Sequence, residues 1–88
     1  DHDLKFAHQE EMEQRKDLFK NSIQVLNERE REILYSRRLN DNPTTLEDLS
    51  KKYKISRERV RQIENKAFEK LQKHMLLLAK SKNLLPVN

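Results

Sequence analysis

Side chains suited to reading nucleic-acid bases are concentrated between Ser56 and Asn65. On a helix, which turns about 100° per residue, four of them share one stripe at spacings i, i+3, i+4 and i+7: Glu58, Arg61, Gln62 and Asn65. Apolar residues of the same helix fall on the opposite side: Val60, Ile63 and Ala67. Arginine pairs with guanine acceptors, glutamine pairs with adenine, and glutamate accepts from the cytosine amino group. The stretch therefore predicts a helix that buries one face and reads duplex DNA with the other.

The residues beside this stripe are typical of contacts to the DNA backbone. Arg59 and Lys66 flank the stripe at positions suited to phosphates, which fix register without carrying sequence information, and Arg57 suits either role. A charged stripe is also what a solvated helix face with i,i+4 ion pairs looks like. The capping residues, the short helix predicted upstream and the cluster of basic residues favour DNA reading over that alternative.

Two further helical signals predict a helix-turn-helix around this stretch. Ser56 is a favourable N-cap, and no helix-breaking residue interrupts 57–79, so one long helix is expected there. Thr44 with Glu47 has capping-box spacing, which predicts a short helix from Thr45 to about Lys52. Lys54 then occupies the turn position that tends to need positive φ, at a cost of about 1 kcal/mol for a residue other than glycine.

The N-terminal half predicts two supporting helices. Apolar residues at helical spacing indicate a first helix from Met12 to about Leu26. Asn27, with Glu30 three residues later, predicts the capped start of a second helix that reaches Arg38. Residues 1–11 are expected to be a linker or a frayed segment, and 80–88 an irregular tail, with the domain between them over 12–79.

Composition supports one small all-α domain. The 88 residues include no glycine and only two prolines, so the turn chemistry of hairpins is missing. The net charge is +4, and residues 51–73 hold nine Lys and Arg against three Asp and Glu, a local excess of +6. This distribution suits an anionic partner. No apolar run approaches membrane-spanning length, and the start at Asp1 instead of Met indicates a fragment of a longer protein.

An enzyme is poorly supported, and we expect no cofactor. His2, His8 and His74 are dispersed, there is no cysteine, and no histidine has catalytic spacing to a serine or a carboxylate pair. His8 with Glu11 is a weak candidate for a metal pair, and we expect no metal site.

Three strings give the sequence a family resemblance: L-N-E-R-E-R-E-I-L at 26–34, T-L-E-D-L-S at 45–50 and S-R-E-R-V-R-Q-I-E-N-K-A-F-E-K-L at 56–71. Over roughly residues 16–75 the chain resembles region 4, the C-terminal domain of bacterial sigma factors. Glu28, where primary sigma factors often have proline, and the A-F-E-K-L-Q-K string are most similar to heat-shock sigma factors of the alphaproteobacterial kind.

The resemblance implies a monomeric, cytoplasmic, bacterial domain that recognises the minus-35 promoter element as double-stranded DNA while docked on the β flap of RNA polymerase. The family motif assigns base contacts to Arg57, Glu58, Arg61 and Gln62. It assigns backbone contacts to Arg37, Thr45, Leu46, Arg59 and Lys66. Candidates for the flap contact are Leu26, Ile33, Leu34 and Leu39, which are equally suited to the core.

A protein-binding module is the alternative function. The first helix and the leucines 76–78 would then engage a regulator such as an anti-sigma factor or a chaperone, although leucine triplets at helix ends more often serve simple packing. Regulator binding without affinity for promoter DNA would favour this alternative.

Overall fold

The computed structural model describes the backbone of residues 2–82 and the side chains of residues 12–82. The described chain is all-α, as predicted. It contains α1 (His2–Ser22), a short 3-10 helix (Ile23–Val25), α2 (Glu28–Arg38), α3 (Leu46–Tyr53) and α4 (Arg57–Ser81).

The first helix begins at His2 and ends at Ser22, and a single 3-10 turn then leads to Leu26. Residues 2–11, predicted as a linker or a frayed segment, are therefore helical instead. Apolar periodicity is absent there, but six of the ten residues are good helix formers (Leu, Lys, Ala, Gln and two Glu) and none is glycine or proline, so helix propensity continues the helix toward the N-terminus.

The long helix α4 connects two apolar clusters. The rear cluster comprises Ile23, Leu26, Leu34, Ala67 and Leu71, with Phe19, Phe68 and Met75 against it. The motif cluster comprises Ile33, Leu49, Val60 and Ile63, with Leu46, Tyr53 and Ile55 against it. Ile33 and Leu34 are adjacent on α2 and point about 100° apart, so this one helix supplies a residue to each cluster.

The C-terminal end of α4 extends the helix slightly beyond the prediction. It reaches Ser81, so residues 80 and 81, which were assigned to the irregular tail, are helical. Lys82 is the C-cap of α4, and residues 83–88 of that predicted tail lie outside the described residues. No helix within the described part is long and apolar enough to cross a membrane.

Candidate nucleic-acid interface

Helices α3 and α4 form the predicted helix-turn-helix, with one difference at the first cap. The N-cap of α3 is Thr45, whose hydroxyl accepts from the backbone N–H of Asp48 at 3.1 Å, so the predicted capping box of Thr44 with Glu47 is wrong by one residue. Two adjacent threonines, each followed three residues later by an acid, made the register ambiguous in sequence. The backbone N–H of Thr44 donates instead to the carbonyl of Ser36 at 2.9 Å, tying the loop to α2.

The turn between the two helices has the strained residue that the sequence predicted. Lys54 lies in the left-handed region, with φ 57° and ψ 44°, and is the one non-glycine residue of positive φ in the described chain. The carbonyl of Ser50 accepts from the backbone N–H groups of Lys54 and Ile55, the latter at 3.0 Å. These two hydrogen bonds to one carbonyl end α3 and direct the chain into α4.

The start of α4 presents the predicted reading face to solvent. Ser56 caps the helix by accepting from the backbone N–H of Arg59 at 3.0 Å. Val60 and Ile63 are buried in the motif cluster. The four predicted base-contact residues are all exposed: Arg57, Glu58, Arg61 and Gln62. The structure therefore brings these four side chains together on one accessible surface, which we call the reading stripe, with Asn65 as its fifth member.

Hydrogen bonds within the same helix occupy most of this stripe. Arg61 Nη2 donates to both carboxylate oxygens of Glu58 at 2.9 Å, and this bond with the Glu58 charge raises the pKa of Arg61. Arg59 Nη1 lies 3.4 Å from the Gln62 amide oxygen, to which it donates. The bonds span three residues on an exposed face, so DNA groups can replace them at little cost in folding energy.

The predicted backbone-contact residues divide into two groups. Thr45, Arg59 and Lys66 are exposed, whereas Leu46 is half-buried against the motif cluster. Arg37 is half-buried and already engaged, since its Nε donates to Glu64 Oε1 at 3.0 Å and its Nη1 to the Thr44 carbonyl at 3.0 Å. Arg37 thus holds the loop before α3 in place.

A buried carboxylate that sequence reasoning missed fixes α2 against α4. Glu64 accepts from Nε of Arg37 at 3.0 Å and from Nε of Arg38 at 2.9 Å. Burial alone would raise the pKa of Glu64, but the hydrogen bonds from Arg38 and Arg37 outweigh it and lower the pKa below its ordinary value. The signal was present in the spacing, because Glu64 follows Val60 by four residues and precedes Ala67 by three, on the buried face.

A second buried carboxylate, Glu30, joins the same two helices further along. It forms the predicted capping box with Asn27, since each backbone N–H donates to the other's side chain, at 3.0 and 2.8 Å. Its other oxygen accepts from Lys70 Nζ of α4 at 2.8 Å. Burial opposes ionisation here too, but the bonds from Lys70 and Asn27 prevail and lower the pKa of Glu30.

A third carboxylate, Glu32, attaches α3 to α2. It accepts hydrogen bonds from the ammonium group of Lys52 and from the Tyr53 hydroxyl. Partial burial and the adjacent Glu32 carboxylate raise the pKa of Tyr53 to about 12. The helix-turn-helix is therefore attached to α2 by ion pairs at both of its helices.

Three of the four predicted flap-contact residues belong to the core. Leu26, Ile33 and Leu34 are at most 2% exposed, so in this conformation they pack inside the domain and are closed to a partner. For these three residues the burial supports the core alternative, which the sequence weighted equally with the interface. Leu39 is 50% exposed, and Tyr35, one turn earlier on α2, is 44% exposed. The accessible apolar surface at this end of α2 therefore consists of Tyr35 and the C-cap residue Leu39.

No group of three His, Cys, Asp or Glu suited to a metal ion occurs among the described residues. The side chains of His8 and Glu11, the weak metal pair considered above, lie outside them.

Comparisons with known proteins agree on one family. A family model described as Sigma-70, region 4, matches residues 22–73. The chain is 51% identical over 84 residues to RNA polymerase sigma factor RpoH of Zymomonas mobilis, covering 96% of this chain and 28% of that protein. It is 51% identical over 83 residues to RpoH of Caulobacter vibrioides, covering 94% and 28%. RpoH of Rhizobium radiobacter is 55% identical over 64 residues, covering 73% and 21%. The chain thus spans 21–28% of the length of these curated relatives.

Proposed function

The chain belongs to the region 4 family of sigma-70 factors, and from this premise we propose that it recognises the minus-35 promoter element as double-stranded DNA. The names of the RpoH relatives support a place in a heat-shock sigma factor, in which the domain directs RNA polymerase to heat-shock promoters. The observation that carries the proposal is the exposed reading stripe at the start of a capped recognition helix.

The chemistry of the stripe fits reading from the major groove. Arg57 and Arg61 offer donors to guanine, Gln62 offers a donor and an acceptor to adenine, and Glu58 accepts from the cytosine amino group. Arg59 and Lys66 lie beside the stripe and neutralise phosphates, and the capped N-terminus of α3 at Thr45 and Leu46 offers backbone N–H groups to another phosphate.

Docking on the β flap of RNA polymerase is the second part of the proposal. Tyr35 is exposed on α2, where its ring packs edge-to-face against Phe19, and Leu39 is exposed at the C-cap of the same helix. Docking there adds polymerase contacts to the few DNA contacts that a single monomeric domain makes. Leu39→Ser should therefore weaken promoter binding by the assembled polymerase and leave the sequence preference unchanged.

Selection of bound duplexes tests DNA recognition. A sigma factor carrying this domain is assembled with core polymerase and offered promoters whose minus-35 region is randomised. We expect one preferred sequence, and Gln62→Ala should relax preference at one or two base pairs only. Recovery of random sequences would refute the proposal.

A protein-binding module remains the second candidate, because Leu76 and Leu77 are 54% and 64% exposed at the end of α4. An anti-sigma factor or a chaperone would contact these leucines. The module reading predicts that Leu76→Ser with Leu77→Ser abolishes regulator binding. If promoter selection is absent and regulator binding persists, the module is the function.

A further inference from the structure

The guanidinium of Arg38 is held in one orientation by three contacts. Its Nε donates to Glu64 Oε2 at 2.9 Å, its Cζ lies 4.1 Å from the ring centre of Phe68, and its Nη2 donates to Asn65 Oδ1 at 3.1 Å. Glu64 is buried and is itself held by Arg37. Because the ion pair and the aromatic ring fix the plane of the guanidinium, the position of Nη2 is fixed as well.

This arrangement orients an amide on the reading stripe. Asn65 is exposed and lies seven residues after Glu58 on the same side of α4. A guanidinium has donors only, so the amide oxygen of Asn65 must face Arg38. The amide nitrogen, with its two N–H donors, is therefore turned away from Arg38.

We propose that Asn65 contacts DNA beside the four predicted base-contact residues by donating its amide N–H to an acceptor on the DNA, with Arg38 as the positioning residue. The proposal rests on the proposed function. Asn65 lies about 10 Å beyond Glu58 along the helix axis, which is close to the 12 Å width of the major groove. At that distance the available acceptors are a phosphate oxygen at the groove edge or a base acceptor such as guanine O6 or thymine O4.

Asn65 differs from the other paired members of the stripe in what holds it. Glu58 is bonded to Arg61 and Gln62 to Arg59, within the exposed face, and these bonds compete with DNA. Asn65 is hydrogen-bonded by Arg38 through its amide oxygen only, so its N–H donors are already oriented before DNA binds. Preorganisation of this kind reduces the side-chain entropy lost on binding.

A double-mutant cycle tests the proposal in a sigma factor assembled with core polymerase. Asn65→Ala should weaken promoter binding about fivefold, the effect of one neutral hydrogen bond. Arg38→Lys keeps the charge but loses the bond to the amide, and it should weaken binding less. In the Asn65→Ala background, Arg38→Lys should add no further loss. Gln72→Ala removes another exposed amide, seven residues further along α4, and should leave affinity unchanged.

Promoter variants and random duplexes distinguish the two acceptors. A loss confined to duplexes with the native base at one position identifies a base acceptor, and an equal loss on every duplex identifies a phosphate; either result supports the proposal. Unchanged affinity of Asn65→Ala overturns it, and this exposed substitution does not threaten folding. An equal loss from Arg38→Lys in both backgrounds overturns the positioning role. An assembled wild type with no minus-35 preference would instead refute the proposed function.

Discussion

Two glutamates of helix α4, Glu58 and Glu64, form ion pairs with arginines at nearly the same N–O distance in two different environments. Glu58 and Arg61 are 2.9 Å apart, and each side chain is 59% exposed. Glu64 lies 3.0 and 2.9 Å from Arg37 and Arg38, but its side chain is 10% exposed. Exposed pairs contribute little to stability, whereas removing one partner of a buried pair leaves an uncompensated charge. The N–O distance therefore does not distinguish the two kinds of ion pair, whereas solvent exposure does. The exposed Glu58–Arg61 pair can be replaced by other partners, and the buried Glu64 with its two arginines holds α2 against α4.

The largest effect should come from removing the buried carboxylate of Glu64. Glu64→Ala leaves Arg37 and Arg38 without their carboxylate, and we expect it to lower the free energy of unfolding by about 2 kcal/mol. The effect is smaller than for a fully buried pair because both arginines retain contact with solvent. Urea denaturation measures it. If Glu64→Ala were as stable as wild type, the buried ion pairs would contribute as little to stability as the exposed pair.

Lowering the pH should give the next largest effect, through the buried carboxylates. The pKa values of Glu64 and Glu30 are lowered from 4.5, although burial alone would raise them. Hydrogen bonds from Arg38 and Arg37 outweigh burial at Glu64, and hydrogen bonds from Lys70 and Asn27 outweigh it at Glu30. Their contribution to stability is therefore complete above about pH 4.5 and is lost as pH falls through the lowered pKa values. Thermal unfolding between pH 7 and pH 2.5 measures this loss.

Glu64→Gln is the matched control for the acid experiment, because it keeps the size of the side chain but cannot titrate. The variant should be less stable than wild type at pH 7 and should lose less stability on acidification. Parallel curves for the two proteins would mean that Glu64 does not contribute to the acid sensitivity.

The turn between α3 and α4 should give a smaller effect of opposite sign. Lys54 has φ 57°, and Lys54→Gly removes the clash of its Cβ in the left-handed region. We expect a gain of about 0.5 to 1 kcal/mol in unfolding free energy, reduced from the full strain by the greater freedom of glycine in the unfolded chain. Chemical denaturation of the variant measures it, and a loss of stability would show that the lysine side chain makes a compensating contact.

The smallest effect should come from removing Glu58, the carboxylate of the exposed pair. Glu58→Ala removes the partner of Arg61, and its melting temperature should be indistinguishable from that of wild type because both groups are solvated. A drop as large as that of Glu64→Ala would mean that the reading stripe also stabilises the fold.

Local patterns predicted the helices and the reading stripe, because caps and apolar spacing are properties of neighbouring residues. The capping box at Asn27, the cap at Ser56 and the positive φ of Lys54 were all predicted and are confirmed. The partners of Glu64 were not, since Arg37 and Arg38 precede it by 27 and 26 residues and only tertiary packing brings them together.

Burial was the other property that the sequence left open. Leu26, Ile33 and Leu34 have spacings that suit an interface as well as a core, and only the packing of α4 against α2 shows that they are buried. For Leu39, the exposed member of the predicted set, docking on the flap stays a prediction.

One measurement tests most directly whether the exposed stripe serves recognition while the buried pair serves the fold. It compares Arg61→Ala with wild type, in the assembled polymerase, for binding to the preferred promoter duplex and to random DNA. We expect a loss of about 10- to 100-fold on the preferred duplex, little change on random DNA and an unchanged melting temperature of the variant. An equal loss on both duplexes, or a destabilised fold, would contradict the account.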